Sequence, residues 1–245
     1  MVGAEEPRIL SPLSWAGRSP EIQNVIGRDE QSSILNHLLS ALPLNFALLV
    51  LGNTGSIVYG ITDISATKDV DVGIVVLGRR RSVASYEEVL ELVKALGVEI
   101  VRQPEDQSWV QIRVTVHDAT RQVDLIRGKD RDRPNGTFIE RKIIEAVAKA
   151  ANQRGRLLIP ALTDLLVMKA WAAVDQERHL AMTPRNPEYH RQRLRAYTDD
   201  ARRIADFAMK RTELATKRVD ELLALMRPRR KTQVRRVLAK IGAVA

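Results

Sequence analysis

Apolar residues recur along this chain with two periods, and the change from one to the other near residue 137 divides it. Residues 28–42 place Ile34, Leu35, Leu38, Leu39 and Leu42 at the i, i+3/i+4 spacing of an amphipathic helix, which Pro43 stops. The runs FALLVLG (46–52) and VDVGIVVLG (70–78) are aliphatic, β-branched and bounded by Gly, so they predict two buried strands with a turn, a short helix and a loop between them. Over 84–96 the helical period returns, with Val89, Leu92, Val93 and Leu96 on one face and Gly97 as C-cap. Residues 98–102 read as a strand. WVQIRVTVH (109–117) alternates, putting Val110, Ile112, Val114 and Val116 on one face. A turn at 118–120 then leads into a partner strand over 121–128, completing a hairpin.

Residues 1–27, with their Pro, Ser, Gly and Trp15, read as a loose lead-in, and 128–136 as a mobile loop. From there the pattern predicts helices over 137–152, 162–178, 190–212, 215–226 and 230–241, with a short extended piece at 156–161. Strand-rich first and helix-rich second predicts an α+β fold: an α/β domain over 1–155, with 1–27 as lead-in, and a helical domain over 156–245. No internal repeat is visible.

Composition narrows the class. The chain has 245 residues, 44% hydrophobic and 28% charged, which is ordinary for a folded protein and excludes disorder throughout. No apolar run approaches the ~20 residues that cross a bilayer, and MVGAEEPRIL lacks the features of a signal peptide, so a soluble, cytoplasmic protein with no membrane partner is expected. The absence of Cys excludes disulfide scaffolds, thiolate zinc sites and cysteine nucleophiles. The formal charge of +9 is uneven: residues 178–245 carry 18 Lys/Arg against 7 Asp/Glu, whereas residues 1–177 carry 21 against 23. A near-neutral body thus joins a basic last quarter that includes Arg227, Arg229, Arg230, Lys231, Arg235 and Arg236. Such asymmetry fits a polyanionic partner, because Lys/Arg clusters gain affinity by releasing phosphate counterions; a merely solvated basic helix is the plainer explanation.

The most informative chemistry lies in Asp69-Val70-Asp71-Val72. Residues i and i+2 of a strand share a face, so Asp69 and Asp71 project together, and their close approach calls for a divalent cation between them. Asp124, amid Val123, Leu125 and Ile126, is a third carboxylate in a strand otherwise made of apolar residues. Three strand-borne aspartates suit a two-metal phosphoryl-transfer site. The plainer alternative is a solvent-facing edge strand at 69–71, with Asp124 paired to Arg113 or Arg127.

The run LLVLGNTGSIVYGITDISATKDVDVGIVV resembles the polymerase-β-type nucleotidyltransferase superfamily, in which a strand, a Gly-Gly or Gly-Ser turn and a short helix lead to a metal-binding Asp-x-Asp. The words VYG and ATKDVDV are most similar to the branch holding AbiE-type toxins of toxin–antitoxin pairs. The resemblance spans about residues 46–77, with the strand at 121–127 and a weaker helical match over 160–207. It implies a nucleotidyltransferase-type mixed sheet with flanking helices, followed by a C-terminal helical bundle. It further implies that Asp69, Asp71 and Asp124 bind two Mg²⁺ ions, or Mn²⁺, and that the Gly turn grips phosphates. Gly55-Ser56 fits the Gly-Ser form, with Gly52 shaping the turn; Gly52-Asn53 fits the alternative register. A Gly turn entering a helix offers backbone N–H groups to phosphate in either case, while a plain strand–helix turn explains the glycines equally simply.

In the helical half, LLIPALTDLLVMKAW resembles the toxin branch's Asp-Leu-Leu-x-x-Lys helix, which implies that Lys169 reaches nucleotide phosphates. Its neighbours Leu165, Leu166, Met168 and Trp171 look like core, so this lysine needs an anionic partner or must snorkel. Asp199-Asp200 matches the branch's later acidic position, where Asp200 would be catalytic, although here the usual preceding Lys is missing; capping a helix N-terminus explains the pair as well.

Other chemistries find no support. His37, His117, His179 and His190 share no ligand spacing, and no nucleophile elbow, P-loop or G-x-G-x-x-G is present. The expected activity is transfer of a nucleoside monophosphate from an NTP donor to an acceptor hydroxyl. By the resemblance that acceptor is the 3′ end of tRNA, and a cognate antitoxin is the expected protein partner. The alternatives are the same chemistry on an aminoglycoside-like small molecule or a protein side chain, and an inactive fold that only binds RNA.

Overall fold

The two periods resolve into one sheet and the helices that cover it. The computed structural model describes residues 28–61, 69–79, 81–116, 119–130, 139–182 and 186–244. The first half runs through α1 (Arg28–Ala41), β1 (Phe46–Val50), α2 (Gly52–Val58), β2 (Asp69–Val76), β3 (Ser82–Val83), α3 (Tyr86–Leu96), β4 (Glu99–Arg102), β5 (Trp109–Val116) and β6 (Ala119–Ile126). It continues with α4 (Arg141–Ala150), β7 (Asn152–Arg154), β8 (Leu157–Ile159), α5 (Leu162–Ala181), α6 (Pro187–Lys210), α7 (Thr216–Ala224) and α8 (Pro228–Lys240). This is a mixed α+β fold with one open sheet in the order β4-β5-β6-β2-β1-β8-β7, and β3 paired to β2. β2–β6 and β1–β8 are parallel, and the other pairings are antiparallel.

Strand alternation assigns the two faces. Leu48 and Val50 of β1, Val70, Val72 and Ile74 of β2, and Val123 and Leu125 of β6 pack with Ile34 and Leu38 of α1 and Val89, Leu92 and Val93 of α3. The intervening residues Ala47, Leu49 and Val75 join Ile143 and Val147 of α4, Leu165 and Val174 of α5, Ile204 of α6, Leu222 of α7 and Leu238 of α8. By the period of two, Asp69, Asp71 and Asp124 face this second, helical side. Capping follows local chemistry. Ser85 and Glu88 form a capping box at α3, Gly97 closes it at φ +64°, and the Asn186 side chain accepts the Tyr189 N–H at the start of α6.

Several sequence expectations shift. Ala119 and Thr120, expected in a turn, already pair with Val116 and Thr115. Gly128–Asp130, expected to begin a mobile loop, are ordered: Lys129 bridges to Glu140 and is 5% exposed. β3 and β7 carry too few residues to show a period, and each pairs antiparallel with a strand next to it in the chain, β3 with β2 and β7 with β8. The boundary expected at 155/156 falls inside the β7–β8 hairpin, where Gly155 turns at φ +58°. The lead-in over 1–27, the loop residues 62–68, the turn residue Asp118 and residues 131–136 lie outside the described residues.

Ion pairs lock the later helices. Arg218 of α7 donates from Nε and Nη2 to the buried Asp164 of α5, at 2.8 and 3.1 Å, and from Nη2 to the Ala146 carbonyl of α4. Among the described residues no helix is long and apolar enough to cross a membrane.

Candidate active site

Asp71 and Asp124 are direct partners across the parallel β2–β6 pair, and Asp69 lies two residues before Asp71 on the same face. All three line a cavity of about 450 Å³ between the sheet and helices α5 and α6. Burial pushes the Asp71 carboxyl up to about 6, Asp69 adding to the rise while Lys169, Arg193 and the Asn53 N–H oppose it. Burial pushes Asp124 up to about 7, with the Asp71 charge reinforcing it and Gln111 opposing it. Gln111 of β5 donates from Nε2 to Asp124 Oδ1 at 2.8 Å, fixing that carboxyl toward the neighbouring strand. The ion pairs considered for Asp124 do not form: Arg113 binds Glu99 and Arg127 binds Asp130. Nor is β2 an edge strand, since β1 and β6 flank it.

The first turn of α2 abuts this acidic face. Gly52 adopts φ +51°, and a β-carbon there would lie 2.0 Å from Asp71 Oδ2. Only glycine permits that approach. Asn53 donates its backbone N–H to the Asp71 carboxylate, and Asp71 in turn donates its own N–H to Thr54 Oγ1 at 3.2 Å. Gly52 and Asn53 line the cavity. The preferred register, Gly55-Ser56, does not reach it. A β-carbon at Gly55 would meet Leu165 Cδ2 at 2.7 Å, and the fully buried Ser56 hydroxyl donates back to the Gly52 carbonyl. Gly55 thus lies against α5 and Ser56 is turned back on α2, and neither lines the cavity.

The opposite wall comes from α5 and α6. Lys169 Nζ, almost fully buried, donates to Asn53 Oδ1 and to Asp200 Oδ2, the latter at 3.1 Å, and lies 5.2 Å from the Tyr197 ring centroid. The anionic partner that a lysine in this apolar stretch requires is therefore Asp200, itself 1% exposed. Asp199 is exposed and pairs with Arg202. Both aspartates lie well inside α6, so helix N-capping is excluded for them. The chain thus brings together Asp69, Asp71, Asp124, Gly52, Asn53, Lys169 and Asp200, and leaves Gly55 and Ser56 in the core.

Sequence reasoning missed part of this wall. Tyr189, Arg193 and Tyr197 share one face of α6 and line the cavity, with the Arg193 guanidinium 5.6 and 5.2 Å from the two ring centroids. The available signal was the Tyr-x₃-Arg-x₃-Tyr spacing, one helical turn per step. Asp175 also lines the cavity and pairs with His179 at 3.4 Å and Arg230 at 4.0 Å. His179 stacks on His190 at 5.1 Å, although the two share no sequence spacing. Much of the basic last quarter is spent internally: Arg227 on Glu140, Arg235 on Asp220 and Arg236 on Glu177.

Hard oxygen donors at Asp69, Asp71 and Asp124, two of them with carboxyls raised by burial and by like charge, fit Mg²⁺ or Mn²⁺. Comparison of the chain with protein-family models, with curated proteins and with solved structures finds no match.

Proposed function

We propose that this chain is a metal-dependent nucleotidyltransferase with a nucleotidyltransferase-type sheet, moving a nucleoside monophosphate from an NTP to an acceptor hydroxyl. The observation that carries this reading is the pairing of Asp71 with Asp124 in adjacent parallel strands, with Asp69 on the same face and Gly52 held open for the Asp71 carboxylate. Asp69, Asp71 and Asp124 would hold two Mg²⁺ ions, which when bound neutralise triphosphate charge and make the acceptor hydroxyl more acidic.

The acceptor oxygen forms a bond to the α-phosphorus, the bond from that phosphorus to the bridging oxygen breaks, and pyrophosphate leaves. Asp124, held by Gln111 and ionised by the bound metal, would help take the acceptor proton. Lys169 acts as a positioning charge: it ties Asn53, and so the first turn of α2, to Asp200. An RNA 3′ end such as that of tRNA is the acceptor best supported. Arg203 and Arg229 stay exposed in the basic last quarter with no ion pair among the described residues, and they suit a phosphate backbone. A toxin role with a cognate antitoxin follows from the sequence resemblance alone.

Incubation of the full chain with labelled NTPs, total tRNA and Mg²⁺ tests the reading. Label should pass to RNA with wild type and not with Asp71→Ala. If wild type transfers no label with Mg²⁺ or Mn²⁺, the reading falls; salt-sensitive RNA binding without transfer would leave an RNA-binding protein.

A further inference from the structure

Among the described residues two cations, Lys169 and Arg193, line the helical wall of the cavity, and they differ in how their charge is met. Lys169 has Asp200 at 3.1 Å and the Asn53 carboxamide, which occupy two of its three donor hydrogens. Arg193 forms no ion pair among the described residues, although its helix neighbours Arg191 and Arg202 pair with Glu188 and Asp199. Its guanidinium is instead held by π-faces, between Tyr189 one turn before and Tyr197 one turn after. Both cations crowd Tyr197, each 5.2 Å from its ring centroid. Like charges gathered around one ring repel, and an anion placed beside Arg193 would relieve that repulsion.

The facing wall supplies the complement. Asp71 and Asp124 feel the Arg193 charge, which works against the rise of both carboxyls, yet neither binds it directly. A ligand bridging the gap must present negative charge to α6 and meet a cation on the sheet, as a metal-bound polyphosphate does. We propose that Arg193, aligned by Tyr189 and Tyr197, is the cavity's phosphate-binding residue and holds the polyphosphate of the substrate against α6. This rests on the transferase reading and shifts the phosphate contact from Lys169 and Gly55-Ser56 to a residue outside the sequence resemblance's motifs. The planar fork of Arg suits phosphate oxygens bidentately, and two flanking rings reduce the freedom lost when it binds.

The test uses inorganic tripolyphosphate, which carries the charge without a base, titrated calorimetrically into the full chain at low salt with and without Mg²⁺. Arg193→Gln should weaken binding about 10–100-fold, the worth of one charge-assisted contact. Arg193→Lys should recover only part of the loss, because the point charge keeps neither fork nor stack. Arg195→Gln removes the same charge from an exposed position two residues along and should stay within about twofold of wild type, as expected for a screened surface charge. Arg193 is itself exposed, so circular dichroism of the Gln variant should match wild type.

Binding by Arg193→Gln within about twofold of wild type overturns the proposal, as do equal losses in Arg193→Gln and Arg195→Gln, or no tripolyphosphate binding by wild type. Label transfer by wild type judges the transferase reading separately. Transfer that survives Arg193→Gln with unchanged tripolyphosphate affinity sinks only the phosphate assignment.

Discussion

Asp71 lines the cavity on its sheet side and Asp200 lies buried against the cavity-lining Lys169 on the helical side, and burial treats them differently. Asp200 is the more enclosed, yet Lys169 sits 3.1 Å away and supplies its counter-charge. Asp164, fully buried on α5, is met in the same way by the Arg218 guanidinium. Asp71 and Asp124 form no ion pair among the described residues, and burial raises both carboxyls, with the charge of Asp69 adding to Asp71 and that of Asp71 adding to Asp124. A fold that pairs buried acids with cations on its helical side leaves two without a paired cation on its sheet wall. Such burial costs stability, which makes this wall the candidate site for chemistry.

The contrast can be broken most severely at Asp71. Asp71→Asn should lower label transfer about 10³–10⁴-fold, the several kcal/mol that a metal-held charge contributes, while the protein stays folded by circular dichroism. The paired acid should behave in reverse. Asp200→Ala strands the Lys169 ammonium in the core and should cost about 3–5 kcal/mol in urea unfolding. Lys169→Met combined with Asp200→Leu should restore most of that loss, and failure of the double variant to recover would mean that the pair is not the local unit described.

A pH series sharpens the comparison further. The folded carboxyls of Asp71 and Asp124, at about 6 and 7, lie above their ordinary 3.8, so the folded state holds more protons than the unfolded state between about pH 4 and 7. Metal-free stability should therefore fall as pH rises through that window. Asp71→Asn should flatten the fall, and added Mg²⁺ should raise the melting temperature more at pH 8 than at pH 5.5. A metal-free melting temperature that rises across the window, with Asp200 unchanged, would contradict the assignment. The smallest effect on stability is expected at Gly52→Ala, about 1–3 kcal/mol in urea from positive φ and the Asp71 contact.

Much of this was readable from the chain because the signals are local. The alternation of Val110, Ile112 and Val114 fixes the face of β5, and the same period places Asp69 with Asp71. That Asp124 joins them depends on β2 pairing β6, which no local pattern encodes; its oddity among aliphatic neighbours was the usable clue. The glycine register failed for a comparable reason. Gly55 answers to Leu165 on α5, far along the chain, and Gly52 answers to the Asp71 carboxylate, so two similar dipeptides were separable only by what packs on each. Arg193 was lost in a net charge count that gave the same weight to stacked, paired and solvated cations alike. Of the basic residues that drew attention there, Arg235 and Arg236 are bound to Asp220 and Glu177.

The parallel pairing of β8 with β1 bears on how this protein can be dissected. β1 has β2 on one side and β8 on the other, and Tyr59 reaches over to donate its hydroxyl to the Pro160 carbonyl at 2.7 Å. A shortened chain ending at Gly155 would strip that flank and leave a hydrophobic strand with naked amides along a raw margin, an invitation to self-association. Expression pieces are better chosen to retain the chain through α8, so that the backbone flanking β1 travels with the helices packed on α5.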